Sequence, residues 1–330
     1  MVEASELNVS GSNLATAASL PNYVEYGGVT TTPPPDLIQS CVLYGFFPRA
    51  DKGAMATLCS KVFEAPSGGV IRCTPMENRL MLTFGRANKV VPELPPYNQM
   101  GSATESQVAL WIPVLVERRN AQRLFDTVGF AWFIPYMWVD NPLSLSGGRE
   151  IFGYAKNWGT TTLPGDDAAA PQSFKLCAFG GNFDSAASSK MSQLINIGPL
   201  PAGANIAAPG VADRVEEWLF RGNRMGLIGN DFIRLVGQFI HVGTSSIFLK
   251  QMRSVMDGTR ADFQQITRAE TRVVNLQSVA PNTGGYQMII QPLDSHPIAK
   301  DLGVTNQTLM AGFKVVMDFE LQAGEVLWPA

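Results

Sequence analysis

Lys156 lies in the run Gly147-Gly148-Arg149-Glu150-Ile151-Phe152-Gly153-Tyr154-Ala155-Lys156-Asn157, a single lysine among aromatic and small residues, close after an Arg-Glu pair. Burying an ammonium disfavours its charged form and lowers its pKa. A lysine that is neutral near pH 7 can add to a carbonyl and form a Schiff base. Composition alone reads the same residues more plainly, as a solvated strand-end lysine beside an ordinary Arg149–Glu150 ion pair. Competing chemistry is scarce. No G-x-G-x-x-G follows a strand, and neither a P-loop nor a G-x-S-x-G elbow occurs. His241 and His296 are the two histidines and lie far apart, which argues against a His-based metal site. Asp294-Ser295-His296-Pro297 sets three triad residue types side by side. Triad members converge from separate segments, so a turn held by its side chains is the better reading. Acid–base work therefore falls to carboxylates, Tyr or Lys.

The chain has 330 residues, enough for one large domain or two ordinary ones. Charged residues are only 16%, against roughly 25% in a typical soluble domain. Much apolar surface must therefore be hidden, in a thick core or against other subunits. A net charge of -3 gives no nucleic-acid footprint. The longest apolar run, Gly129 to Val139, is interrupted by Pro135 and is about half the ~20 residues that a membrane helix needs. The N-terminus is acidic with no apolar run behind it, and Cys41, Cys59, Cys73 and Cys177 form no CxxC pair. These features predict a cytoplasmic protein with free thiols.

Residues 1–35 are rich in Ser, Thr, Gly and Pro and are expected to form an extended arm, with 36–330 as a single domain. Val42 to Phe47 reads as a strand, followed by a short helix capped by Asp51. Val70 to Cys73 and Arg79 to Phe84 read as a hairpin, and Gln107 to Glu117 and Thr127 to Val139 as buried strands. Residues 160–172 read as a surface loop. In the second half Phe174 to Phe179, Phe232 to His241, Thr271 to Gln277, Tyr286 to Gln291 and Gly312 to Leu321 all read as strands. The best helix there is the stretch up to Phe220, capped by Asp213. The sum is an α+β architecture, mainly antiparallel β.

The segment from Asp140-Asn141-Pro142 to Asn157 resembles the signature of the acetoacetate decarboxylase family. There a G-R-E motif precedes an aromatic-proline-lysine-lysine sequence, and the first lysine forms the imine. Lys156 falls on that lysine, Tyr154 on the aromatic and Arg149-Glu150 on the G-R-E pair. Thr104-Glu105-Ser106, followed by Ile112-Pro113-Val114, resembles the family's T-E-S segment, whose glutamate lies in the active site. Phe248 to Arg253 and Asp294 to Ile298 resemble recurring segments of the longer members, so the similarity runs from about residue 40 to 325.

The resemblance implies a barrel-containing fold with a few helices. It also implies a cofactor-independent lyase, without a metal, acting on a small-molecule keto acid or ketone through a lysine Schiff base. Lys156 would be the nucleophile, Glu105 the proton donor or acceptor and Arg149 a carboxylate anchor. Tyr154, Phe152 and Asn157 would line the substrate, and the protein would be a homo-oligomer. Decarboxylation of a β-keto acid is the leading reaction. The alternatives are an aldolase-dehydratase or cyclase using the same imine and enamine, or a non-catalytic ligand binder. Asn157 and Ala155 stand where the family has a second lysine and a proline. Activation of Lys156 then falls to desolvation by Phe152, Tyr154 or Trp158, or to the field of Arg149. Cys41 stands near the place of a further family arginine, with Arg49 the closest basic residue.

Overall fold

Successive residues of a strand point to opposite faces, so a strand buried on both faces reads as a continuous apolar run. In β1 (Asp36–Phe46) Val42, Tyr44 and Phe46 enter one core cluster and Leu43 enters a second. In β4 (Ala103–Arg119) Val108, Leu110 and Ile112 go one way, Ala109 and Trp111 the other. Two apolar layers on one sheet explain where a chain with 16% charged residues hides its apolar side chains.

The computed structural model describes residues 20–165, 172–201 and 231–329. The remaining strands are β2 (Ile71–Pro75), β3 (Met81–Pro92), β5 (Phe125–Val139), β6 (Lys156–Thr162), β7 (Phe174–Gly180), β8 (Lys190–Pro199), β9 (Gly243–Arg253), β10 (Ala261–Ile290), β11 (Gln307–Leu321) and β12 (Glu325–Pro329). Pairing runs β4-β3-β1-β11-β10-β8-β7-β6-β5, and β5 returns to β4, so the strands close into a ring. β9 bridges β5 and β10, and β12 pairs with β10. Among the described residues β5–β6 and β5–β9 pair in parallel and the rest antiparallel. The mainly antiparallel β architecture with few helices is thus present. No helix among the described residues is long and apolar enough to cross a membrane.

Asp51 caps helix α1 (Lys52–Cys59) as expected, its carboxylate accepting from the Ala54 N–H at 2.8 Å. Four expectations change. The hairpin of Val70–Cys73 with Arg79–Phe84 does not form. β2 pairs with residues 114–118 of β4 and β3 with residues 103–111, and β5 covers 107–119. β2 and β3 therefore lie end to end on one edge of a strand long enough to take both. Phe232 to His241 lies in a helix, Asp231–His241, rather than a strand. Its apolar positions 232, 233, 235, 236, 239 and 240 include the helical i, i+3, i+4, i+7, i+8 pattern from 232, and Val236, Phe239 and Ile240 are buried. Thr271 to Gln277 and Tyr286 to Gln291 are not separate strands but fall almost wholly within the 30-residue β10, whose pairing with β11 is interrupted by three register shifts. Thr160 to Thr162, expected in a loop, belong to β6. Residues 1–19 of the arm, 166–171 and the expected helix up to Phe220 lie outside the described residues.

Candidate active site

The Lys156 segment is shaped by its glycines. Asn141 caps the helix α2 (Pro142–Gly147), its side-chain oxygen accepting from the Leu143 and Ser144 N–H groups at 2.9 and 3.2 Å, with Pro142 at the first helical position. A wider turn, Gly148–Phe152, follows and ends at Gly153, whose φ of 90° suits glycine. The N–H groups of Gly153 and Tyr154 both donate to the Gly148 carbonyl at 3.0 Å. The chain thus doubles back, and the Lys156 side chain crosses directly over Gly148. A Cβ at 148 would lie 2.6 Å from Lys156 Cδ and 2.7 Å from Cε.

Register then decides what faces Lys156. In the parallel β5–β6 pair, Lys156 sits opposite Met137, which belongs to the second core cluster. Asn157 sits opposite Trp138, which belongs to the first. Adjacent strand residues point to opposite faces, so the two side chains diverge. On β4 the face that carries Ala109 and Trp111 continues back through Gln107 to Glu105. Lys156, Glu105, Gln107, Trp111, Met137, Phe152 and Tyr154 all line one cavity of about 330 Å³.

Lys156 is only 8% exposed. Its Nζ donates to Ser144 Oγ at 2.5 Å, lies 3.9 Å from Glu105 Oε1 and stands 5.4 Å from the centre of the Tyr154 ring. Burial lowers its pKa from the ordinary lysine value, opposed by the negative charges of Glu105 and Asp36. Burial pushes the Tyr154 phenol up, with Glu105 adding to the effect, so the hydroxyl stays protonated at neutral pH. Tyr154 packs on Phe248 of β9 at 4.0 Å between ring centres. Phe152 is buried beside it. Desolvation by Phe152 and Tyr154 is therefore present, whereas Trp158 is 52% exposed.

Arg149 and Asn157 do not reach the cavity. The Arg149 side chain is exposed and donates to the Lys156 backbone carbonyl at 2.9 Å, and Asn157 donates to the Ala155 carbonyl at 3.2 Å. Neither Cys41 nor Arg49 lines it either. Cys41 is an apolar-packed thiol on β1 whose pKa burial pushes up to about 12. Asp294-Ser295-His296 is a turn, as expected. Asp294 Oδ2 accepts from the Phe183 N–H at 2.9 Å and Ser295 Oγ from the Gly181 N–H at 3.1 Å.

Sequence reasoning missed several polar residues of the cavity wall, among them Ser144 and Asp36. Ser144 carried a local signal in Asn141-Pro142, which marks a helix start. Asp36 carried none. Its side chain reaches the cavity because β1 contains a bulge. Ile38 pairs with Phe319 but Cys41 with Met317, and Ser40 at the irregularity has a φ of 50°. The Ser40 N–H donates to Asp318 Oδ1 at 2.7 Å and its carbonyl accepts from Asn88 at 2.9 Å. One extra residue there puts Asp36 and Ile38 on the face of Cys41 and Leu43 instead of the face of Val42 and Tyr44.

Asp36 is nearly fully buried and its pKa is pushed up to about 7, mainly by burial, with Lys156 opposing and Glu93 and Glu105 reinforcing. A carboxyl whose folded pKa is raised binds more protons folded than unfolded between about pH 4 and pH 7. Its contribution to stability therefore falls as pH rises through that window and stays lowered above it. Asp36→Asn is expected to unfold at higher urea than the parent at pH 8, by about 2–4 kcal/mol, with the gap closing near pH 4. Equal urea midpoints at pH 8 would contradict this.

Residues 20–35 run over the same region without helix or strand. Tyr23 donates to Glu150 at 2.8 Å, Ser146 Oγ donates to the Thr30 carbonyl, and Thr32 lines the cavity.

No protein-family model matches the chain, and no curated protein matches it in sequence. Several solved structures match in fold. Acetoacetate decarboxylase from Legionella pneumophila superposes with a TM-score of 0.57 at 13% identity, covering 97% of this chain and 99% of that one. The enduracididine biosynthesis enzyme MppR, solved in complex with pyruvate, gives 0.55 at 11% identity over 90% and 91%. An acetoacetate decarboxylase-like enzyme from Sphingomonas wittichii gives 0.52 at 13% identity over 89% and 94%. The closed ring of strands is thus the acetoacetate decarboxylase-like fold.

Proposed function

We propose that the chain is a cofactor-independent lyase that binds a small carbonyl compound as a Schiff base on Lys156. The observation that carries this reading is a desolvated amine inside a cavity, 3.9 Å from a buried carboxylate and hydrogen-bonded to a serine at 2.5 Å. The complex of the similar-fold MppR with pyruvate adds support for a keto compound as ligand. Nζ adds to the carbonyl carbon and water leaves, giving a protonated imine that serves as electron sink. Glu105 moves the protons, and Tyr154 supplies a hydroxyl donor to the cavity. Arg149 acts on the backbone, holding the Lys156 carbonyl.

Loss of carbon dioxide from an imine of a β-keto acid would leave an enamine for Glu105 to protonate. The same enamine can condense with an aldehyde or expel a β-hydroxyl as water. One observation favours this second reading: among the described residues lining the cavity, Lys156 is the only cation, so a substrate carboxylate has no guanidinium to meet.

Incubation with pyruvate, acetoacetate or a simple ketone plus borohydride, followed by peptide mass analysis, is expected to place the reduced adduct on Lys156. Absence of any Lys156 adduct across that set would overturn the reading. Asn157→Lys is expected to leave the pH midpoint of trapping unchanged, because position 157 shares the Trp138 face. A shift to lower pH would show that the new ammonium reaches Lys156.

A further inference from the structure

Asp36 is the cavity carboxyl for which the Lys156–Glu105 chemistry has no use. It is nine-tenths buried, lines the cavity, and its Oδ1 has no hydrogen-bond partner. Its strand partners Pro92 and Leu321, together with Ile38 and Phe319, surround it with apolar side chains. The charged groups around it are Lys156 and Glu105 inside the cavity and Glu93, next to Pro92. Two carboxyls thus face one ammonium. A buried carboxyl oxygen left without a donor is costly, and a ligand that supplies the donor recovers that cost. A ligand that brings a further carboxylate meets two acids and no guanidinium.

We propose that Asp36 selects the substrate, which is a carbonyl compound carrying a hydrogen-bond-donating group in place of a carboxylate, with its carbonyl carbon at Lys156 Nζ and the donor at Asp36. This rests on the imine reading above and narrows it. The substrate class is then a hydroxylated ketone or aldehyde, which suits aldol-type cleavage or dehydration and excludes a β-keto acid.

Three ligands of matched length test this: 4-hydroxy-2-butanone, 2-pentanone and acetoacetate, each trapped with cyanoborohydride at pH 7.5. In every case Nζ bonds to the carbonyl carbon, the carbonyl oxygen leaves as water, and hydride reduces the C=N bond to a secondary amine. Total adduct on Lys156 is read by mass. The hydroxyketone is expected to label about tenfold faster than either of the others, the scale of one hydrogen bond to a charged group. Asp36→Leu is expected to erase the preference over 2-pentanone while 2-pentanone still labels. Asp36→Asn, close to the parent in shape, is expected to raise acetoacetate labelling about tenfold, and carries the test alone if the leucine variant does not fold. Acetoacetate labelling as fast as the hydroxyketone in the parent, or an unchanged ligand order in both variants, would overturn the proposal. No adduct with any of the three would instead refute the imine reading, and the selection by Asp36 with it.

Discussion

Lys156→Arg is expected to abolish borohydride-trappable adducts and to lower turnover of any carbonyl substrate by at least about 1,000-fold. Guanidinium stays protonated at every accessible pH and cannot form the imine. In the parent, burial holds the Lys156 pKa below the ordinary lysine value. The trapping rate should therefore rise with pH through a midpoint below that of a solvated lysine and then level off, as free amine replaces ammonium. Lys156→Met, which removes the charge and keeps the volume, should fold and yield no adduct. Circular dichroism checks folding, and mass analysis checks the adduct. Turnover surviving in both variants would move the chemistry away from Lys156.

Gly148→Ala is expected to have the second largest effect. The new Cβ would sit 2.6–2.7 Å from Lys156 Cδ and Cε, well inside contact distance. The lysine must move, and its hold on Ser144 and its approach to Glu105 go with it. Trapping is expected to slow about 100-fold, with a stability loss of about 1–3 kcal/mol. Gly147 provides the contrast. It has helical backbone and open space where a Cβ would stand, so Gly147→Ala should leave the thermal midpoint unchanged or slightly raised. Trapping at the parental rate in Gly148→Ala would mean that Lys156 does not depend on its seat over residue 148.

Sequence reading succeeded where the information was local. The Asp51 cap and the apolar strands β4 and β5 each depend on a few adjacent residues. It failed where partners lie far away. The β2–β3 hairpin was a reasonable local reading, but β4 offered both strands a longer partner. Phe232 to His241 reads locally as a strand because a short apolar run fits either period until its length and spacing are counted, and it lies in a helix.

The candidate site divides in the same way. Residue types and spacing marked Lys156 as a candidate imine-forming amine and Glu105 as a candidate proton carrier. Tertiary structure alone decided which side chains share the Lys156 cavity. Strand register turns Asn157 to the Trp138 face, and the reach of Arg149 ends at a backbone carbonyl. One extra residue in β1 brings Asp36 to the Lys156 face, although nothing near Asp36 in sequence announces it. The physical reason is the period of two. A single inserted residue exchanges the two faces of a strand, and whether it is inserted depends on pairing with β11, more than 270 residues away.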